Sequence, residues 1–176
     1  FETFDNNRST RIFELIESYD SIDYEDFKKI KYDNKFPTPF NYNFMDVNNI
    51  TEMKPDDYPE IADLIKQIQN WDRSTDASST GAGAYAMFYY TLADKYFYKG
   101  YYDRNFSKSL IADCLVEVKK RMKKYFDSTT VKLGDFQKLV RGDKEMPIFG
   151  MPDVITAMNA SKYKDGKVQV LSLIHI

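Results

Sequence analysis

Over most of residues 8–126, outside the 34–55 segment, apolar side chains return every three or four positions, and past residue 131 that rhythm stops. A period of that length gathers apolar residues on one face only if the backbone is helical, so most of this chain has to be helix. The later part is cut by Gly134, Gly142, Pro147, Gly150 and Pro152 into pieces suited to turns and short strands. The expected fold is mainly α, with a short β-hairpin or strand near the C-terminus.

The first helix, over residues 8–19, carries Ile12, Phe13, Leu15, Ile16 and Tyr19 on one face. Asp23 can cap a second, with Asp26 at N3 and Ile22 and Phe27 at the two positions of a hydrophobic staple. That helix ends near Asp33, ahead of Pro37-Thr38-Pro39. Residues 34–55 have no clean period yet hold Phe36, Phe40, Tyr42, Phe44 and Met45, which reads as a loop packed by its own side chains. Asp56 and Asp57 suit a helix N-terminus, and Ile61, Leu64, Ile65, Ile68 and Trp71 mark the buried face of the helix that follows.

Ser78 or Ser79 caps a fourth helix, whose small start, Gly81-Ala82-Gly83-Ala84, admits another backbone closely. Tyr85, Phe88, Tyr89, Leu92 and Tyr96 continue its core face. A fifth, from about residue 104 to 126, sets Leu110, Ile111, Cys114, Leu115, Val118 and Met122 on one stripe. Its C-terminal end, with Lys119, Lys120, Arg121, Lys123 and Lys124, reads as a solvated basic face that complements the helix dipole. Pro152 opens a short helix to about Asn159, and Asp165-Gly166 is a hairpin turn with a strand from Lys167.

Composition removes several function classes. The 25 basic and 27 acidic residues are interspersed, with a net charge of -2, so no dense basic stripe exists for a nucleic-acid backbone. No run approaches the roughly 18 apolar residues that cross a bilayer. The one cysteine, Cys114, lies on an apolar stripe and reads as a buried, inert thiol. The one histidine is His175, so Ser-His-Asp, Cys-His and HExxH chemistries cannot be assembled from residues 1–174. An enzyme whose N-terminal α-amino group serves as its own base escapes that limit.

Other patterns have plain readings. Gly81-Ala82-Gly83-Ala84-Tyr85-Ala86 spells GxGxxA, but a polar loop precedes it where dinucleotide binding needs a strand, so close helix packing explains it. Arg141-Gly142-Asp143 reads as a turn. The sequons at Asn7, Asn49, Asn105 and Asn159 carry no functional weight. The many tyrosines and phenylalanines sit mostly at helical core spacing.

Three landmarks carry a resemblance: Asn6-Asn7-Arg8 opening a helix, Trp71-Asp72 closing another, and LGDFQKLVRGD…MPIFGMPD within residues 131–160. Together they resemble penicillin-acylase-type amidohydrolases, a family of N-terminal-nucleophile hydrolases, over about residues 7–170. The resemblance implies the helical part of a four-layer αββα fold, with a strand returning to its core. It also implies amide-bond hydrolysis on an acylated small molecule such as a penicillin, an acyl-homoserine lactone or a lipopeptide. In such enzymes a serine exposed by self-cleavage attacks the amide carbonyl, and a backbone N–H with an asparagine side chain holds the oxyanion. Both that serine and that asparagine correspond to positions upstream of Phe1, so no nucleophile, cofactor or metal residue is assigned here, and the chain alone is expected to be inactive. Family members bind a structural calcium elsewhere.

Only Arg8 carries over as a site residue, in a position where a guanidinium orients polar substrate groups or stabilises negative charge. The implied partners are the rest of the precursor, with its β-sheet core and small chain, and the acylated substrate; the implied location is periplasmic or secreted. The chain opens at Phe1 rather than Met, so residues 1–170 are expected to be part of a domain. Residues 171–176, LSLIHI, translate one frame of a transposase mosaic end used to prepare sequencing libraries and are expected to be non-native. Two other readings stand beside the acylase: a helical binding module using the aromatic 34–55 segment for a glycan or protein, and a relative that has lost its nucleophile.

Overall fold

A computed structural model describes residues 7–38, 48–97, 106–151 and 160–170. Helices α1 (Asn7–Glu17) and α2 (Tyr24–Tyr32) form a hairpin. α2 starts where Asp23, in extended backbone, accepts a hydrogen bond from the Asp26 amide at 2.8 Å. It ends at Asp33, as the sequence predicts. Ile22 and Phe27 occupy the staple positions, but both remain exposed and line a groove instead of closing over the turn.

Helix α3 (Ala62–Gln69) is shorter than its sequence suggests. Asp56 and Asp57 lie in a separate 3₁₀ turn, Pro55–Asp57, and Tyr58 leaves helical geometry at φ -135° and ψ 64°. Pro59 explains the break, because its ring disfavours α conformation in the preceding residue and it has no N–H to donate. The predicted face survives: Ile61, Leu64, Ile65, Ile68 and Trp71 are all buried.

Helix α4 (Thr80–Leu92) begins where the Ser79 hydroxyl accepts from the Ala82 amide at 3.1 Å. A single core face was expected, yet every residue from Gly81 to Phe88 is buried. The reason is position: α3, α5 (Lys108–Phe126) and α6 (Leu133–Phe136) all pack on it. The glycines permit this closeness. A Cβ on Gly81 would lie 2.5 Å from the Trp71 Cβ, and one on Gly83 would overlap the Val131 carbonyl. Those neighbours fill the space that a dinucleotide phosphate would need. A π-helical turn, Ala93–Phe97, follows.

Helix α5 starts at Lys108 behind a Ser107 cap, not near residue 104. Its stripe is buried as predicted at Ile111, Cys114, Leu115, Val118 and Met122. Two of its basic residues are drawn into the fold instead of being solvated. Lys119 Nζ reaches Asp63 Oδ1 at 2.8 Å and donates to the Glu60 carbonyl at 2.6 Å. Arg121 Nη1 donates to the buried Thr91 hydroxyl at 2.9 Å.

The packed reading of the aromatic segment holds for Phe36, Ile50 and Met53, all buried. Phe36 stands edge-on to Trp71 and Tyr85, at 5.8 and 6.1 Å between centroids, while Trp71 and Tyr85 stack at 5.2 Å. Phe40, Tyr42, Phe44 and Met45 lie outside the described residues, as do Arg104, the helix expected after Pro152, and His175.

The C-terminal part holds more sheet than one hairpin. Strands β1 (Gln137–Arg141), β2 (Lys144–Pro147), β3 (Ala160–Lys164) and β4 (Lys167–Val170) run in the order β2-β1-β4-β3. The predicted β3–β4 turn has Asp165 at φ 50° and Gly166 at φ 77°, the left-handed pair that a two-residue hairpin requires. The second hairpin turns at Gly142, with φ 56°, and a parallel β1–β4 pairing joins the two.

Candidate functional site

Arg8 lies in the first turn of α1, exposed, on the rim of a groove of about 280 Å³ between α1 and α2. Ile12, Leu15, Ile16, Ile22, Phe27 and Ile30 give the groove its apolar walls. Arg11, one turn on, is fully engaged. Its Nε and Nη2 donate to the two Asp33 oxygens at 2.9 and 3.1 Å, and its Nη1 donates to Glu14 at 3.1 Å. These bonds, chiefly the one to Asp33, raise the guanidinium's pKa further and fix Arg11 as the hairpin's clasp. Arg8 has no ion pair among the described residues. The two arginines thus separate: Arg11 is held by Asp33 and Glu14, and Arg8 is exposed at the groove.

A second set of polar groups joins the three parts of the chain at the loop after α3. Asp72 Oδ1 accepts from the Ser74 amide at 3.0 Å, and its Oδ2 pairs with Lys35 at 3.1 Å. The Ser74 bond above all, with Lys35, holds the Asp72 carboxyl below the usual range against the effect of burial. The Asn34 carbonyl accepts from both the Thr75 amide, at 3.0 Å, and the Thr75 hydroxyl, at 2.6 Å. On the other side, the Thr75 carbonyl accepts from the Gly150 amide at 2.9 Å, and Gln137 Nε2 donates to the Gly150 carbonyl at 2.8 Å. Gly134 and Leu133 amides donate to the Ala77 and Ser79 carbonyls at 2.8 and 2.9 Å.

This seam brings together two of the three sequence landmarks, Trp71-Asp72 and the 131–151 part of the C-terminal block. Of the third, Asn7 is buried, Arg8 stands at the groove and Asn6 lies outside the described residues. A family profile, Penicillin amidase, matches residues 1–163. The chain belongs to the penicillin amidase family. No curated protein matches it.

Membership in the penicillin amidase family assigns an amidohydrolase-type function. Within the chain, several hydroxyl groups already serve the fold. The Ser79 and Ser107 hydroxyls cap helices, and the Ser74 hydroxyl donates to Asp76 at 2.7 Å. Burial pushes the Cys114 thiol up to about 11, so it is no thiolate at neutral pH. Among the described residues no group of three or more His, Cys, Asp and Glu side chains is placed to hold a metal ion, and no helix is long and apolar enough to cross a membrane.

Sequence reading names Arg8 as its one site residue and does not anticipate the seam. Lys35, Thr75 and Gln137 act across separations of 37, 41 and 13 residues. A local signal existed only for the turn itself, where Asp72-x-Ser74 and Ser74-x-Asp76 have the spacing of side-chain-to-backbone turns.

Proposed function

We propose that this chain is the helical portion of a self-processing N-terminal-nucleophile amide hydrolase whose serine lies in polypeptide outside residues 1–176. The match to the penicillin amidase family over residues 1–163 carries the reading. A chain with one histidine, at position 175, supports it, because an N-terminal serine needs no imidazole. The serine hydroxyl adds to the amide carbonyl while its own α-amino group takes the proton. That proton passes to the leaving amine as the C–N bond breaks, and water then hydrolyses the acyl ester. A backbone N–H and an asparagine side chain, also outside this chain, stabilise the oxyanion.

Arg8 is the contribution of this chain to the site: its exposed guanidinium orients a polar substrate group or stabilises developing negative charge. The substrate class is a linear amide of a small acylated molecule, in a periplasmic or secreted protein. The fold completed by the remaining polypeptide is the four-layer αββα arrangement, in which α1–α6 form part of a helical layer. Calcium, where a family member holds it, binds to residues other than these.

The test uses the parent protein with Arg8→Ala and Arg8→Lys. Alanine lowers kcat/KM on a chromogenic acyl amide by roughly a hundredfold, lysine restores little of it because it lacks the planar fork, and self-cleavage seen by mass spectrometry is unchanged. Wild-type activity in both variants would remove Arg8 from the site. A parent protein with no processed N-terminal serine would remove the mechanism.

A further inference from the structure

We propose that Asp33 is a positioning residue for the amidase site: through Arg11 it joins α1 to the seam after α3 and so sets where the Arg8 guanidinium stands. The inference rests on the proposed reading that Arg8 meets the substrate.

Apolar packing holds α1 lightly. Among the described residues Ile30 is the single buried apolar side chain of α1 and α2, and Phe13, Ile16 and Phe27 are exposed. Asn7, buried at the first residue of α1, fixes one point. A rod held at one point can still swing and turn about it, and the neighbouring Arg8 turns with the rod. Arg11 supplies a second point one turn on, about 6 Å along the axis from Asn7. Its bond to Glu14 stays within α1, so the two bonds to Asp33 are the ones that reach beyond the helix. Parallel bonds from a planar guanidinium to both oxygens of one carboxylate fix direction as well as distance. Arg8 lies three residues before Arg11, on the same face of α1, and both line the groove.

A clasp positions a side chain only when its own base is firm. Asp33 Oδ1 also accepts from the Lys35 amide at 3.2 Å, which ties the carboxylate to the segment leaving α2. That segment is stitched to the loop after α3 at each successive residue. Asn34 Nδ2 donates to Asp76 Oδ1 at 2.7 Å, Lys35 bridges Ser74 in antiparallel register, and the Phe36 amide donates to the Arg73 carbonyl at 3.0 Å. With the Thr75 bonds to Asn34 and the Lys35–Asp72 pair, a connected path runs from the helix that carries Arg8 to Trp71-Asp72. Through Thr75 it continues to Gly150, so parts of all three sequence landmarks lie on it.

The experiment is a double-mutant cycle in the complete parent protein, with kcat and KM measured on a chromogenic acyl amide and rates expressed per titrated active site. Asp33→Asn is expected to lower kcat/KM by about tenfold when Arg8 is present, moving the same constant, kcat or KM, that Arg8→Ala moves. When Arg8 is already alanine, Asp33→Asn is expected to cost less than about twofold. Arg11→Lys keeps the ion pair but not its two-pronged geometry; it is expected to repeat this pattern, and it carries the cycle if Asp33→Asn does not fold. Asp23→Ala weakens α2 at its cap without touching the clasp and is expected to stay within about twofold of the wild type. Equal losses from Asp33→Asn with and without Arg8, no loss with Arg8 present, or a comparable loss from Asp23→Ala would each overturn the inference and leave Arg8 in the site. Wild-type activity of Arg8→Ala would overturn the inference together with the role proposed for Arg8, so that single variant tells the two failures apart.

Discussion

The α1–α2 hairpin and the bundle around α4 are written with the same helical period and reach opposite ends. Phe88 on α4 is 0% exposed, while Phe27 on α2 is 56% exposed, although each belongs to an apolar stripe. α4 is enclosed by α3, α5 and α6, whereas the hairpin is anchored mainly by Arg11 within it and by the Lys35–Asp72 and Asn34–Thr75 contacts at its exit. Periodicity therefore tells which face of a helix is apolar; what covers that face depends on contacts far away in sequence.

The most severe way to break this comparison is to truncate one phenylalanine from each region. Phe88→Ala is expected to destabilise the chain by about 3–5 kcal/mol in urea unfolding, and Phe27→Ala by less than about 1 kcal/mol. Equal losses would mean that the hairpin face is covered within the chain. Gly83→Ala comes next, at about 1–3 kcal/mol, because the added methyl meets the Val131 backbone, which cannot swing aside as a side chain can. Thermal unfolding of that variant, set beside Ala82→Gly, separates the clash from simple helix propensity.

Helix caps sharpen the contrast at a smaller scale. Ser79→Ala and Asp23→Ala each remove one cap, worth about 1 kcal/mol. Amide hydrogen exchange should show the first loss across the bundle and the second confined to α2. Protection lost equally everywhere would contradict the separation of the two regions.

Acid gives the smallest effect. Burial pushes the Asp63 carboxyl upward, but the hydrogen bonds from Lys119 and Thr129 and the Lys119 charge prevail, so it titrates below the usual range. A depressed folded value makes its contribution complete above the unfolded-chain pKa of about 3.9 and lost as pH falls through the folded value. Thermal stability should decline below about pH 4, and Asp63→Asn should flatten part of that decline. A decline that began near pH 6 would point to a different group.

How much of this was legible in the sequence follows from the range of each interaction. The Asp23 cap, the Asp165-Gly166 turn and the small-residue start of α4 are set by neighbours and stand where the residues place them, and of the two candidates Ser78 and Ser79 it is Ser79 that caps α4. Pro59 is also a local signal, and it outweighs the acidic pair Asp56-Asp57 in placing the start of α3. The parallel β1–β4 pairing joins Gln137 to Val168, and the seam joins Asn34 to Thr75 and Gly150 to Thr75, so no window of sequence contains both partners. Arg8 stands apart: its place in α1 follows from helical spacing, while the part in a reaction proposed for it comes from the family resemblance and not from its surroundings.

The central claim is that the reacting atoms of this amidase belong to polypeptide beyond these residues. Hydrolysis of a chromogenic acyl amide, measured side by side for residues 1–176 alone and for the complete parent protein, tests it most directly. The account predicts turnover by the parent and none by the chain alone; hydrolysis by residues 1–176 alone at the rate of the parent would contradict it.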